Sequence, residues 1–497
     1  MMEREAPGLI SFAQKAAHVC NRCRIRKQKC DRVLPRCNRC VSSDRHCDYS
    51  QHRPMPQANE ETEPLVVRDE SCSQADLSCR GTNALVQRLS SCADPFTHSS
   101  PATIRLWDLL REILDLADFD INDALHAYGT GVHPWCPILD ESMLPNGSDD
   151  LARDPAKYPM FSLCMWFLSI RPCPHSKGMV ASELYRTMKQ VFAVINRDGE
   201  VVVEKLQIGM MIAVFEVSHG LRSQASMTVS NCAVMLQSLD LAKPQDRLDR
   251  CKHMLQWLGP SLLRLECTIH LSSTSQRSPL VIPPSHSIHT MLHNGLGSVI
   301  PPAVLHPNAI SPRKLFFRTA VSLASGRVSA YIHAQNQGLI PDDTYEQVNE
   351  SVNKVIGMLQ GGPASDTWLH CASFAMLVCS HILLQHTEYH RHATRTSSTA
   401  ELAYITARLH ASRVMAWNML RVAIEVIETE TAVPHVPFAA LCAVLRGSIA
   451  VLETRTLDSE DIVHASDVNK LSRIARWFAG RWYIGKEYIN RIQELSL

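Results

Sequence analysis

Six cysteines between residues 20 and 47 constrain this 497-residue chain more than any other feature. Cys20, Cys23, Cys30, Cys37, Cys40 and Cys47 are spaced C-x2-C-x6-C-x6-C-x2-C-x6-C, and the tetrapeptide Cys-Asn-Arg-Cys occurs twice, at 20–23 and 37–40. A segment this short and polar has almost no hydrophobic core, so its folded state needs another source of stability. A C-x2-C pair brings two sulfurs to one metal, and a tetrahedral zinc takes four ligands. Six thiolates serve one zinc with two to spare, or two zincs if two sulfurs are shared. The arithmetic favours two: eight zinc–sulfur bonds are met when two of six sulfurs count twice. The expectation is two Zn2+ per chain, held by all six cysteines.

Other cysteine and histidine frameworks fit less well. A two-cysteine, two-histidine finger needs paired histidines downstream, and only His46 lies within the motif. A cross-brace ubiquitin-ligase domain needs eight ligands in two interleaved sites. A disulfide framework belongs to secreted proteins, and the N-terminus has no basic-then-apolar stretch with a small-residue cleavage site, so reduced thiols are expected. The remaining twelve cysteines, among them Cys136, Cys232 and Cys442, lie in apolar surroundings and read as small buried hydrophobes.

The formal net charge of +1 conceals an asymmetry. From Cys20 to Cys47 there are nine basic side chains (Arg22, Arg24, Arg26, Lys27, Lys29, Arg32, Arg36, Arg39, Arg45) against Asp31 and Asp44, a net of +7 that leaves −6 for the rest. Two zincs and six thiolates contribute −2, so the loaded module stays near +5. A basic module on a mildly acidic body suits a polyanionic partner.

The run Cys-Asn-Arg-Cys-Arg-Ile-Arg-Lys-Gln-Lys-Cys-Asp-Arg at 20–32, then Pro35 to Cys40 and Cys47-Asp48-Tyr49, resembles the fungal zinc binuclear cluster DNA-binding domain. The likeness covers all six cysteines, the basic run after the second, the Asp after the third and the proline in the connecting loop. It implies that Cys20 and Cys37 are the shared sulfurs. It also implies that the C-terminal end of a short helix, starting just after Cys20, enters the major groove of double-stranded DNA over a CGG triplet. Lys27 would there donate to guanine O6 and N7, with a lesser share for Lys29. Arg22, Arg24, Arg26, Arg32 and Arg39 are then phosphate contacts that position the module. The second half carries Val41 to His46 where the first has its basic run, and is expected mainly to brace the fold.

The fold expected is mostly α: residues 1–19 as a disordered N-terminus, 20–50 as the zinc module, 51–100 as a polar, flexible linker containing prolines, and 101–497 as one large all-helical regulatory domain. Ile104–Ala117, Val180–Ile195, Leu206–His219, Met227–Leu239 and Leu369–Leu384 carry apolar residues at helical spacing, and strand alternation is scarce. The apolar runs Pro159–Ile170 and Ile208–Val217 are too short to span a bilayer and read as buried helices, so no membrane partner is expected. An a/d series at Leu106, Leu109, Ile113 and Leu116 is too short for a dimer seam and reads as core packing.

Residues 120–275 resemble the fungal-specific transcription factor domain, through His133-Pro134-Trp135-Cys136-Pro137-Ile138-Leu139 and through Tyr185 to Leu241, including Leu206-Gln207-Ile208 and Phe215 to Gly220. Near Trp257 and Leu265-Glu266 the chain departs from that pattern. Gln256 replaces a tryptophan, Gly259-Pro260 is expected to interrupt the helix, and Cys267 stands in place of an arginine, which leaves an ion pair there without its basic half. The resemblance implies a regulatory region that senses a small-molecule effector, masks activation surfaces or supports a homodimer.

Catalytic signatures are missing from the sequence. His386 and His390 are four apart and read as part of a solvated polar face with His392, Arg391 and Arg395. Gly295-Leu296-Gly297 lacks a strand–helix phosphate-binding context. There is no serine-nucleophile elbow and no HExxH motif, so an enzyme is not expected. The reading is a nuclear, zinc-dependent regulator of RNA polymerase II transcription that binds CGG-type promoter elements and controls a biosynthetic gene cluster. The rival is a zinc-stabilised interaction adaptor, which would have no need of five cations between Cys20 and Cys30.

Overall fold

The structure is a computed structural model. It describes residues 19–47 except 21, 24, 25, 27, 34, 35, 44 and 46, and then 121–139, 159–169, 185–186, 188–193, 196, 203–241, 249–274, 280–298, 310–360, 371–394, 398–429, 438–457 and 462–496. The expected N-terminal segment 1–18, the linker 51–100 and the a/d series at 106–116 lie outside the described residues. The chain divides into two units, Met1–Glu70 with Ile427–Val433 and Ser71–Val426 with Pro434–Leu497.

In the first unit the regular element is α1 (Asn38–Ser42), capped by Cys37, whose sulfur accepts from the Cys40 N–H. Such a helix is too short to stand alone. What holds it is a cluster of buried Cys20, Cys23, Cys37 and Cys40, with Cys30 and Cys47 packed against them.

Every regular element described in the second unit is helical. Its helices are α2 (Ile121–Gly131), α3 (Pro159–Ser169), α4 (Val203–Ser218), α5 (Arg222–Leu241), α6 (Asp249–Ser272), α7 (Ser287–Ser298) and α8 (Ile310–Asn336). They continue with α9 (Tyr345–Gln360), α10 (Cys371–Ala393), α11 (Thr399–Thr429), α12 (Phe438–Glu453), α13 (Ala465–Ala479) and α14 (Gly485–Ser496). Helices α6, α8, α10 and α12 pack in a ring: α6 on α8, α8 on α10, α10 on α12, and α12 back on α6. Around it, α4 and α5 cover α6, α9 lies on α8 and α10, and α14 lies on α12.

Sequence accounts for who sits inside. In α12 every residue from Phe438 to Leu452 is buried, and in α4 every residue from Leu206 to Ser218. A helix apolar on all sides belongs in a core. The outer α9 instead buries a single stripe, Val348, Val352, Val355, Ile356 and Leu359. Helix α4 meets α5 closely at Gly209, where an added Cβ would lie 2.7 Å from the Cys232 sulfur and 3.0 Å from Phe192. Among the described residues no helix is long and apolar enough to cross a membrane.

One expectation fails here. Gly259-Pro260 does not interrupt α6, which runs continuously through Pro260. A proline costs a helix one N–H donor and crowds the preceding turn. Packing meets the helix at this point: α8 lies against α6, and Ser322 Oγ donates to the Pro260 carbonyl at 3.2 Å. Gly259 admits α7, since a Cβ there would lie 2.9 Å from Met291 and 3.1 Å from Leu292. The pair marks a close helix contact.

Candidate metal centre and nucleic-acid interface

The six sulfurs form two sets of four. Cys20, Cys23, Cys30 and Cys37 make one, and Cys20, Cys37, Cys40 and Cys47 the other, with the ligand atoms of each set all within 4.8 Å of one another. Both sets contain Cys20 and Cys37. The Cys20–Cys37, Cys20–Cys40, Cys23–Cys37 and Cys20–Cys30 sulfurs are each 3.8 Å apart. A disulfide would hold its sulfurs about 2.0 Å apart, and none of the six cysteines is in one. Zinc–sulfur bonds of about 2.3 Å in a tetrahedron place their sulfurs about 3.8 Å apart. The spacing is that of zinc ligands.

Electrostatics point the same way. Burial pushes the Cys20, Cys23 and Cys40 thiols up to about 12, so on their own they would be protonated at neutral pH. At Cys37 and Cys47 burial also works upward. Amide donors, from Cys40 to the Cys37 sulfur at 3.4 Å and from Cys37 to the Cys47 sulfur at 3.2 Å, together with hydrogen bonds from neighbouring thiols outweigh it and draw both thiols down. A buried set of thiols this dense suits dications, which hold their ligands as thiolates.

The sequence repeat survives as geometry. In the first half the Arg26 N–H bonds the Arg22 carbonyl at 3.2 Å and the Gln28 N–H the Cys23 carbonyl at 2.8 Å. Seventeen residues on, Ser43 bonds Arg39 at 3.2 Å and Arg45 bonds Cys40 at 2.9 Å. Each C-x2-C pair thus ends its helical turn in the same way and delivers its sulfurs inward. The helix expected after Cys20 is present at Arg22 and Cys23.

Outside this sulfur core the cations face solvent: Arg26, Lys29, Arg32 and Arg39 are exposed and Arg22 is half-buried. Lys27 and Arg24 lie outside the described residues. Two arginines also serve the fold, a role the sequence reading missed: Arg36 donates to the Arg45 carbonyl at 2.8 Å and Arg39 to the Lys29 carbonyl at 3.3 Å.

Residues 18–55 match the fungal Zn(2)-Cys(6) binuclear cluster domain. That domain binds two zinc ions through six cysteines, which is the count and pairing of sulfurs present here. Two curated proteins are also similar to the chain. Transcription factor BOA15 of Botryotinia fuckeliana (strain B05.10) is 27% identical over 125 residues, covering 25% of this chain and 68% of that protein. The Depudecin biosynthesis cluster-specific transcription activator DEP6 of Fusarium langsethiae is 24% identical over 321 residues. This second match takes in 50% of this chain and 52% of that protein, so the chain spans about half the relative's length. No solved structure matches the chain.

In the helical unit, the segment 133–139 ties helices together. Tyr128 Oη accepts from the Ile138 and Leu139 amides at 3.0 and 3.1 Å, Gln207 donates to the Ile138 carbonyl at 2.6 Å, and Ser261 Oγ to the Pro137 carbonyl at 3.3 Å. Glu266, whose expected ion-pair partner is replaced by Cys267, instead accepts the Val281 and Ile282 amides at 2.5 and 2.7 Å. Burial lifts its carboxyl to about 7 in spite of those donors. Cys371 is exposed, against the expectation of burial, because it begins α10. His386 and His390 are not simply solvated: their Nε2 atoms lie 2.7 Å apart, and burial takes His386 down to about 4. Among the described residues no third ligand atom completes a metal site with them. Gly295-Leu296-Gly297 lies within α7 and forms no phosphate loop. A cavity of about 20 Å³ beside His270, Ser329 and His333 has room for a water molecule or two.

Proposed function

We propose that the chain is a sequence-specific DNA-binding transcription regulator whose 20–50 segment is the reading module. Cys20 and Cys37 bridge two zincs, with Cys23 and Cys30 completing one and Cys40 and Cys47 the other. The observation that carries the reading is the pair of four-sulfur sets sharing two members beneath an exposed basic face. Zinc supplies the charge that keeps the thiolates ionised. The protein's own cations supply affinity for phosphate, and Lys27 and Lys29 supply base-edge donors to a CGG triplet. Residues 51–100 serve as the linker and 101–497 as the regulatory body, in the nucleus. The similarity to an activator named for a biosynthetic cluster supports a biosynthetic gene cluster as the target.

Selection from randomised duplexes by the zinc-loaded chain tests this. Enrichment of CGG triplets that disappears in the Lys27→Ala variant, with salt-sensitive binding to random DNA retained, is the expected result. No enrichment by the wild type, or equal loss on selected and random duplexes in Lys27→Ala, would contradict it.

A further inference from the structure

The two halves of the cysteine module are joined by more than shared sulfur. Asp31, directly after Cys30, places both carboxylate oxygens on the Asn38 N–H, at 3.2 and 3.1 Å. The next residue, Arg39, sends Nη1 back to the Lys29 carbonyl at 3.3 Å. Residues 29–31 of the first half and 38–39 of the second are thus tied twice, with the donors on the second half both times. Inside the loop that these ties close, Arg32 has φ 61°, the one positive φ at a non-glycine residue among those described. Such a backbone is strained for a residue with a Cβ and persists only where neighbouring contacts impose it.

We propose that Asp31 and Arg39 form a clamp that fixes the basic run of the first half against the second half, and that Arg39 is a positioning residue for DNA reading rather than a phosphate contact. The inference rests on the DNA-binding reading above and assigns Arg39 a different part in it. Lys29, whose carbonyl Arg39 holds, ends the basic run, so the clamp sets where that run's main chain leaves the module. Base edges must be met by donors placed to within about half an ångström. Attraction to phosphate acts through charge over a Debye length and tolerates looser placement. Loosening the clamp therefore costs discrimination before it costs attachment.

The test uses the zinc-loaded full chain, a duplex enriched by the wild type and a scrambled duplex, each titrated across a range of salt. Arg39→Gln and Asp31→Ala are each expected to lower the ratio of selected to scrambled affinity about tenfold, leaving the slope of log K against log salt unchanged. Asp31→Asn, which keeps a carbonyl acceptor, retains most of the ratio, and the Arg39→Gln/Asp31→Ala double variant is little worse than either single one. A phosphate contact would behave otherwise: both duplexes would weaken alike and the slope would fall by about 1, and that outcome overturns the proposal. If Arg39→Gln fails to retain two zincs, the comparison of Asp31→Asn with Asp31→Ala carries the test. Hydrogen exchange at the Asn38 amide probes the clamp without DNA. Slow exchange in the wild type, about tenfold faster in Asp31→Ala, is expected, and wild-type exchange as fast as in an open loop overturns the clamp. A wild type that enriches no duplex counts against the DNA-binding reading alone, because the exchange measurement still decides the clamp.

Discussion

In the helical body the interior is built from side chains such as Leu258, Val321, Leu377 and Leu445, none with exposed surface, whereas among the described residues of the cysteine module those buried are Cys20, Cys23, Cys37 and Cys40. The first kind of interior forms by expelling water from apolar surface and is spread over a ring of four helices. The second has too little apolar surface for that, and its sulfurs, of which burial pushes Cys20, Cys23 and Cys40 toward the neutral thiol, are held together by metal. The difference teaches that one chain can have two stabilities with separate triggers.

The largest effect expected is from chelation. Structural zinc contributes on the order of 10 kcal/mol or more in small zinc modules. A strong chelator should therefore abolish DNA binding and the ordered amide signals of residues 20–47, while the helical circular dichroism of the body hardly changes. Loss of body helicity in step with zinc would break the comparison.

Within the module, the sulfurs should fall into two classes. Cys37→Ala removes a member of both four-sulfur sets and is expected to release both zincs, whereas Cys30→Ala removes a member of one and should leave a chain with one zinc, read by metal content after dialysis. Equal losses from the two variants would mean that no sulfur is shared.

In the body the comparison sharpens at Phe438, fully buried against Trp135, Phe478 and Trp482. Phe438→Ala should cost about 3–5 kcal/mol of denaturant stability through lost burial and the cavity left behind, with zinc content unchanged.

A smaller effect is expected at Glu266. Its carboxyl ionises near 7 in the folded chain, above the usual carboxylate range, because it is buried. The unfolded chain therefore loses this proton first, and stability falls as pH rises from about 4.5 to 7 and stays lower above it. At pH 8 the penalty is on the order of 3 kcal/mol. Glu266→Gln should recover part of it at pH 8 and little at pH 5, as measured by denaturation midpoints at the two values. An equal change at both would show that the carboxylate carries no such penalty.

Much of this was legible in the sequence where chemistry is local. The cysteine spacing announces metal because ligands must come in counted sets, and the apolar runs at 159–170 and 208–217 announce buried helices, realised as α3 and α4. What depends on distant partners was not legible. Gly259-Pro260 looks like a break until α7 is seen lying against it. Asp31, Arg36 and Arg39 look like more surface charge in a basic segment, and only the folded loop shows their hydrogen bonds to main chain across the module. His386 sits in a polar run, yet the packing of α10 on α12 is a tertiary fact that its neighbours in sequence do not reveal.

The most direct test of the account is the zinc stoichiometry of the full chain by native mass spectrometry. Two zincs per chain, with all six N-terminal cysteines unreactive to alkylation until chelator is added, is the result expected from two four-sulfur sets sharing Cys20 and Cys37. One zinc per chain, with two of the six cysteines freely alkylated, would contradict it.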